Sequence, residues 1–502
     1  MNMENTITRR GFLGGAFAAS ATGVFAMPPG EAAGQLGLGA ERLRFGVLSD
    51  VHVASPRQLT KIERALRRFD DWKADAVLCC GDIADFGLKQ QLNLMGGLWK
   101  KVFPGGKGAD GREVVNLFHY GDHDMAVNYA DNQPAPELWP DAAERRAGII
   151  FNGDRGRIWK DAFGEEEPWA PIVLRKVKGY PFVLSHFTRG EEGNRYGNNV
   201  PGLDAFMTAH AGDFDPKKPL FYSQHRIPCD TACGREVYGQ DDGTVGKTLS
   251  RFPNAVAFCG HCHMDAANER SIWQGAFTCI QVPGHRYCTT ESGRENGYAQ
   301  ADKRRTGAPQ TMRGVPCHPA GQALFCRVYD TALVVERVEI SGKDVNHMGD
   351  DWVVPFASFA LAASERPFAH GRRLREMPVP VFAGGAEVKV GIVKGKDRKG
   401  NEDEFVELTF PAAAKCAGHP RANDYDIALE AKVNDKVREV LRKRFYPQLY
   451  HFGDASDSKE IVGRIRKRDV PKTGQHRFVV RPVNGMGRMG EAIATDWRQS
   501  LG

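Results

Sequence analysis

Five short segments of this chain set carboxylates and imidazoles together at the ends of apolar runs: Asp50-Val51-His52, Gly81-Asp82, Gly121-Asp122-His123-Asp124, Ser223-Gln224-His225 and Gly260-His261-Cys262-His263. Carboxylate oxygens mixed with neutral imidazole nitrogens suit zinc, iron or manganese, and a carboxylate can bridge two ions through its two oxygens. Asp82 is the candidate for that bridge. Two cations about 3.5–4 Å apart lower the pKa of a shared water and clamp both the attacking and the leaving oxygen of an in-line phosphoryl displacement. The expected chemistry is therefore hydrolysis of a phosphate ester. A single His after an apolar run is ordinarily a structural residue. Five such segments in one chain favour the metal reading.

The elements that must position these residues are short and apolar. Arg44 to Ser49, Ala76 to Cys80, Val114 to Phe118, Pro219 to Ser223 and Ala255 to Cys259 read as buried strands closed by Gly or polar residues, so each group of ligands falls just past a strand end. Leu59, Ile62, Leu66 and Phe69 recur at helical spacing between the first two strands. Strand, helix and strand make a βαβ unit, which implies a mostly parallel sheet with a crevice beyond its carboxyl ends. Phe103 to Arg112, rich in Gly, reads as a surface loop before the third strand.

Taken in order, the five segments resemble the calcineurin-like metallophosphoesterases, whose signature is D-x-H, GD, GNH[DE], a later His after an apolar strand, and GHxH. The resemblance covers Leu43 to Ile340 and implies an α/β fold of layered mixed β-sheets flanked by helices. It implies two divalent or trivalent metal ions, zinc, manganese or iron, one held by Asp50, His52, Asp82 and His263 and the other by Asp82, Asp122, His225 and His261. It also implies that His123 stands beside the leaving oxygen as general acid or charge stabiliser, with Asp124 orienting its ring. One residue departs from the pattern. Asp122 stands where the family usually has Asn, which removes about one unit of positive charge from the site; the expectation is that its oxygen still ligates.

Other candidates carry bland readings. His186 could line the cleft near Arg189 and Arg195 or simply cap the strand before it; His119 is expected to be packed, and Asp85 and Asp265 to be ordinary loop carboxylates. Eleven cysteines are too few for a disulfide scaffold at this length. Cys79 and Cys80 read as packed small hydrophobes, whereas Cys229 with Cys233 and Cys259 with Cys262 have spacings that could bind zinc. In the second pair the neighbouring histidines are the preferred ligands.

Thr8-Arg9-Arg10-Gly11-Phe12-Leu13 opens a mildly apolar stretch ending in Val24-Phe25-Ala26, the pattern of a twin-arginine export signal with a small-residue cleavage site. This predicts a bacterial periplasmic or cell-envelope location, and no later segment has the roughly 18 apolar residues of a membrane helix. The net charge of +6 over 502 residues, without a basic patch interleaved with aromatics, excludes a dedicated nucleic-acid-binding module.

From Glu387 onward the texture changes. Glu387 to Lys394, Glu404 to Phe410, Asp424 to Val433 and His476 to Val483 alternate apolar and polar residues between turns, as half-buried antiparallel strands do. The expected division is a signal over 1–26, a linker over 27–40, a catalytic domain over 41–365 and an all-β sandwich over 375–502, the last similar to a fibronectin type III module. Ala323 to Ile340 reads as two strands around Asp330, with an exit past Trp352 and Pro355. Two functions are weighed: an exported phosphoesterase acting on a small-molecule or envelope-derived phosphate mono- or diester, and a non-catalytic envelope protein binding a glycan or partner. Loops such as Gly190 to Pro201 would set specificity.

Overall fold

The computed structural model of the protein describes residues 26–27, 37–126, 139, 141–164, 170–189, 197–234, 237–289, 320–342, 345–396, 400–413, 422–434, 436–445, 460–472 and 474–499. Nearly all of the expected export signal, Arg195 and most of the Gly190 to Pro201 loop lie outside these residues.

The apolar runs become strands of two mixed sheets. The first sheet runs β1 (Ala26–Met27), β14 (Asp351–Pro355), β12 (Ala332–Glu339), β11 (Gln322–Tyr329), β2 (Glu41–Leu48), β3 (Ala76–Cys79) and β4 (Val115–Phe118), with β13 (Asn346–His347) paired to β12. The second runs β5 (Ile172–Val177), β6 (Tyr180–Ser185), β7 (Leu220–Ser223), β8 (Ala255–Cys259), β10 (Thr278–Gln281) and β9 (Ile272–Gln274). Strands β2, β3 and β4 pair in parallel, as do β7 and β8. Parallel pairing brings the segments after them to a common end in each sheet.

Between the sheets lies an aromatic core. Phe45, fully buried on β2, meets Phe182, Phe221 and Phe258 of the other sheet edge-on at 5.0–5.7 Å between ring centroids. Burying one such ring contributes about 1.5–3 kcal/mol, so the two layers are held in a fixed relation. Helices Pro56–Asp71, Lys89–Val102 and Arg155–Phe163 cover the outer face of the first sheet, and Leu203–Ala209 with Thr244–Leu249 covers that of the second. The first of these helices starts as its sequence dictates: Ser55 and Gln58 form a capping box around Pro56. Among the described residues no helix is long and apolar enough to cross a membrane.

One strand differs from expectation, and the chain between the two expected domains stays with the first. Asp351–Pro355 does not leave the sheet but joins it as β14, because Trp352 and Val354 alternate into the inter-sheet core. Contacts with the first domain also continue past residue 365. Phe368 belongs to that same core, and Arg373, on the helix His370–Glu376, pairs with the carboxylate of Glu269.

The C-terminal region is a two-sheet sandwich with every pairing antiparallel. One sheet is β15 (Lys389–Lys396), β16 (Glu402–Pro411) and β19 (Glu460–Arg466); the other is β18 (Lys436–Phe445), β17 (Asp424–Val433), β20 (His476–Val483) and β21 (Ile493–Ala494). Val406, Leu408, Phe410, Tyr425, Ile427, Leu429, Phe478 and Val480 alternate inward to form its core.

Candidate metal centre

Each site segment follows its strand at the crevice end. Asp50 and His52 follow β2, Asp82 follows β3, Asp122 follows β4, His225 follows β7, and His261 and His263 follow β8. Aiming the side chains inward requires unusual backbone. Asp50, His52, Asp82, His261 and His263 all have positive φ, between 42° and 72°. Left-handed backbone costs a non-glycine residue roughly 1–2 kcal/mol, so five such residues in one crevice must be held by their surroundings. The loops supply that hold through His52 N to Asp82 O (2.9 Å), Val53 N to Ile83 O (2.7 Å), Gly260 N to His225 O (2.8 Å) and His261 N to Asp50 Oδ1 (3.1 Å). The approach is close enough to demand glycine. A Cβ on Gly121 would strike the backbone nitrogen of Asp82, and one on Gly260 would come within 2.6 Å of Asp50 Oδ2.

All seven ligands expected from the sequence come together, in two groups. Asp50, His52, Asp82 and His263 present ligand atoms within 4.8 Å of one another, as do Asp122, His225 and His261. In the first group, His263 Nε2 lies 3.1 Å from Asp50 Oδ1, and His52 Nε2 lies 3.6 Å from Asp82 Oδ2. In the second, His225 Nε2 is 3.3 Å from Asp122 Oδ1, and His261 Nδ1 is 3.4 Å from Asp122 Oδ2. Asp82 belongs to both: its Oδ2 faces His52, while its Oδ1 is 3.2 Å from His225 Nε2.

Hydrogen bonds on the far side of three rings fix which nitrogen faces the centre. Nδ1 of His52 meets Asp85 Oδ1 at 3.0 Å, Nδ1 of His225 meets Cys80 O at 2.7 Å, and Nδ1 of His263 meets Tyr287 O at 3.1 Å. Each Nδ1 thereby carries the proton and each Nε2 offers a lone pair inward. Those inward nitrogens face one another and carboxylate oxygens. Nε2 of His52 and Nε2 of His263 stand 3.2 Å apart, and the buried His225 Nε2 and Asp122 Oδ1 have no hydrogen-bond partner. Lone pairs facing lone pairs inside a protein are costly unless a cation lies between them, so the donor set fits two metal ions. The electrostatics agree. Burial holds His52 below the ordinary imidazole range, whereas at His225 burial is outweighed by Asp82 and Asp122, which raise its pKa well above that range, so that without a cation a proton on Nε2 takes the place a cation would fill. The carboxylates of the centre ask for positive charge.

His123 and Asp124 differ in their roles. The His123 ring stands edge-on to His52, with centroids 4.5 Å apart and its side chain partly open to solvent. Burial lowers its pKa, but Asp82 and Asp122 raise it further, so the imidazolium is favoured. Asp124, expected to orient that ring, is taken up elsewhere. Its oxygens accept backbone N–H groups of Ile83 (3.1 Å), Ala84 (2.6 Å) and Gly121 (2.7 Å), and burial together with Asp82 pushes its carboxyl up to about 7. The partner of His123 Nδ1 is Asp85, through its backbone oxygen at 2.8 Å and its Oδ1 at 3.9 Å. A carboxylate engaged by three amides has no geometry left for a ring, so Asp124 ties the Asp82 and Asp122 loops together instead.

Asp85 is thus more than an ordinary loop carboxylate. It holds His52 and His123 at once, and Arg286 Nη1 lies 2.5 Å from its Oδ2. Burial would raise its pKa, but His52 and Arg286 hold it down at about 2. Its position three residues after Asp82 was the available signal. Arg226, directly after His225, also reaches the centre, as does Tyr287, whose ring stacks on His263 with centroids 4.2 Å apart. His119 is packed as expected, with Nε2 at 2.8 Å from Ser223 Oγ and burial pushing its pKa to about 3. His186 is buried against Tyr120 and Trp159, accepts from Tyr120 N, and lines a small cavity with His225 and Arg226. No cysteine joins a metal-ligand group among the described residues, and Cys262 Sγ turns away to Tyr238 O.

The family model of the calcineurin-like phosphoesterases matches residues 43–264. No curated protein matches the chain. Solved structures similar to it include a dimetal phosphatase from Danio rerio, at 11% identity over 63% of this chain and 100% of that chain with a TM-score of 0.35. A purple acid phosphatase from seeds of yellow lupin (Lupinus luteus) is similar at 12% identity over 65% of this chain and 56% of that chain, with a TM-score of 0.38. With the layered sheets and the clustered ligands, the match identifies residues 43–264 as a calcineurin-like phosphoesterase domain.

Proposed function

We propose that the protein is a metal-dependent phosphoesterase that hydrolyses a small-molecule or envelope-derived phosphate mono- or diester at a dinuclear centre. The observation that carries this reading is Asp82, with one oxygen turned to His52 and the other to His225. Asp50, His52, Asp82 and His263 would hold one cation, and Asp82, Asp122, His225 and His261 the other. Bound there, the pair would supply an acidic water and neutralise charge on the attacking and leaving oxygens.

The chain's own residues do the rest. His123 is held at Nδ1 by Asp85, so its other ring nitrogen is the one available to donate a proton to a departing oxygen. His52 and Arg286 keep Asp85 ionised, so that its carboxylate holds His52 while its backbone oxygen holds His123. Export through a twin-arginine route, supported by Thr8 to Leu13 and the stretch to Ala26, would deliver the protein already folded, with its cations loaded.

The test is metal analysis of the purified protein combined with assays on p-nitrophenyl phosphate and bis(p-nitrophenyl) phosphate. Two equivalents of zinc, manganese or iron with turnover of either ester are expected. Two equivalents without hydrolysis under any of these metals would instead favour a non-catalytic binding protein. For export, substituting Arg9 and Arg10 by Lys should leave the protein in the cytoplasm.

A further inference from the structure

Asp122 brings a full negative charge to a place where a neutral amide is usual, and an unbalanced charge there would repel a phosphate. The fold sets an arginine against it. Arg226 Nη2 lies 3.7 Å from Asp122 Oδ2, the oxygen that also faces His261 Nδ1 at 3.4 Å. The guanidinium is fixed from other sides as well: Nη1 donates to Asn198 Oδ1, and its carbon sits 5.5 Å from the centroid of the Phe187 ring. Its Nε is buried without a hydrogen-bond partner. An arginine held this firmly loses little further freedom on pairing with an anion.

On the opposite flank Asp85 also faces an arginine, and more closely, with Arg286 at 2.5 Å. Each outer carboxylate of the centre therefore has its own arginine. The inner two do not: Asp50 and Asp82 face imidazoles and backbone amides. The pairing confines uncompensated negative charge to the middle of the centre, where cations would sit.

We propose that Arg226 offsets the charge of Asp122, so that the Asp122–His225–His261 group can bind a cation and still attract a phosphate anion. The inference rests on reading the centre as a metal phosphoesterase. Charge, rather than shape, is what Arg226 supplies. Removing it alone leaves an extra negative charge, removing the Asp122 charge alone leaves an extra positive one, and removing both restores the balance.

The experiment compares Arg226→Gln, Asp122→Asn and the double variant, each as full-length protein. Calorimetric titration of manganese into chelator-treated protein and inhibition by inorganic phosphate are the readouts, with KM and kcat on p-nitrophenyl phosphate alongside. Arg226→Gln should raise the phosphate inhibition constant and KM by about 10–100-fold, as loss of a residue supporting a ligand does, with a smaller change in kcat and no weakening of the second manganese equivalent. Asp122→Asn should weaken that second equivalent by about tenfold. The double variant should return phosphate inhibition to near native, and Arg226→Lys should stay near native throughout. If Arg226→Gln does not fold, Asp122→Asn against the double variant asks the same question, since Asp122→Asn should bind phosphate more tightly than native protein and the double variant should return to near native.

A double variant as impaired in phosphate inhibition as Arg226→Gln alone, or a Lys variant as impaired as the Gln one, would overturn the proposal while leaving the phosphoesterase reading intact. Native protein that binds fewer than two equivalents and hydrolyses neither ester would remove the reading on which it rests.

Discussion

The two halves of the candidate metal centre differ in how far water reaches them. Asp50, His52, Asp82 and His263 are at most 3% exposed, whereas the side chains of Asp122 and His261 are 20% and 14% exposed and only His225 is sealed. The difference follows from the fold. The buried half hangs from β2, β3 and β8, which lie within the two packed sheets, and its loops are zipped to one another by backbone hydrogen bonds. The open half takes Asp122 from β4, at the edge of the first sheet, and is bordered by Arg226 and Asn198. A buried half with rigid imidazoles is suited to holding a cation permanently. The open half, with its charges set by rim residues, is suited to meeting the substrate.

The largest expected effect comes from breaking the link between the halves. Asp82→Ala should take hydrolysis to background and lower the metal content below two equivalents by plasma emission analysis. Retention of one full equivalent would sharpen the comparison, since the buried half would then be self-sufficient. His123→Asn, which touches neither Asp50 nor His261, should lower kcat by about 10²–10⁴-fold, the usual contribution of a general acid, with metal content unchanged; parallel loss of metal would assign it to the ligand set instead.

Chelation should separate the halves by stability. A ligand present at about 1,000 times its Kd stabilises the folded state by about 4 kcal/mol, and a buried site that gathers strained loops gains most. The melting temperature should therefore fall on chelation and recover mainly with the first equivalent added back. Equal recovery with each equivalent would erase the distinction. Smaller still is Asp85→Asn, which leaves His52 and His123 without their charged partner. A loss of about 10–100-fold in the affinity of the first equivalent is expected, read by calorimetry, with the second little changed.

Much of this is legible in the sequence alone. The ligand-bearing strands at Glu41–Leu48, Ala76–Cys79 and Ala255–Cys259 are continuous apolar runs, and the helix Pro56–Asp71 carries both its periodicity and its cap in sequence. Less legible were elements whose signal depends on context. Strand β18 exposes Val437 and Val440 among basic residues, so its alternation is weak, and β14 is recognisable only once Trp352 has a core to enter.

The order and types of Asp50, His52, Asp82, Asp122, His225, His261 and His263 are properties of the sequence, because ligand chemistry is local to a side chain. Which oxygen of Asp82 faces which imidazole, why Asp124 serves the backbone rather than His123, and how Arg226 and Arg286 guard the outer carboxylates were decided by the tertiary structure. Of these, Asp82 to His225, Arg226 to Asp122 and Arg286 to Asp85 join loops from opposite sheets, and the inter-sheet core in which Phe45 packs against Phe182, Phe221 and Phe258 sets the distance between them.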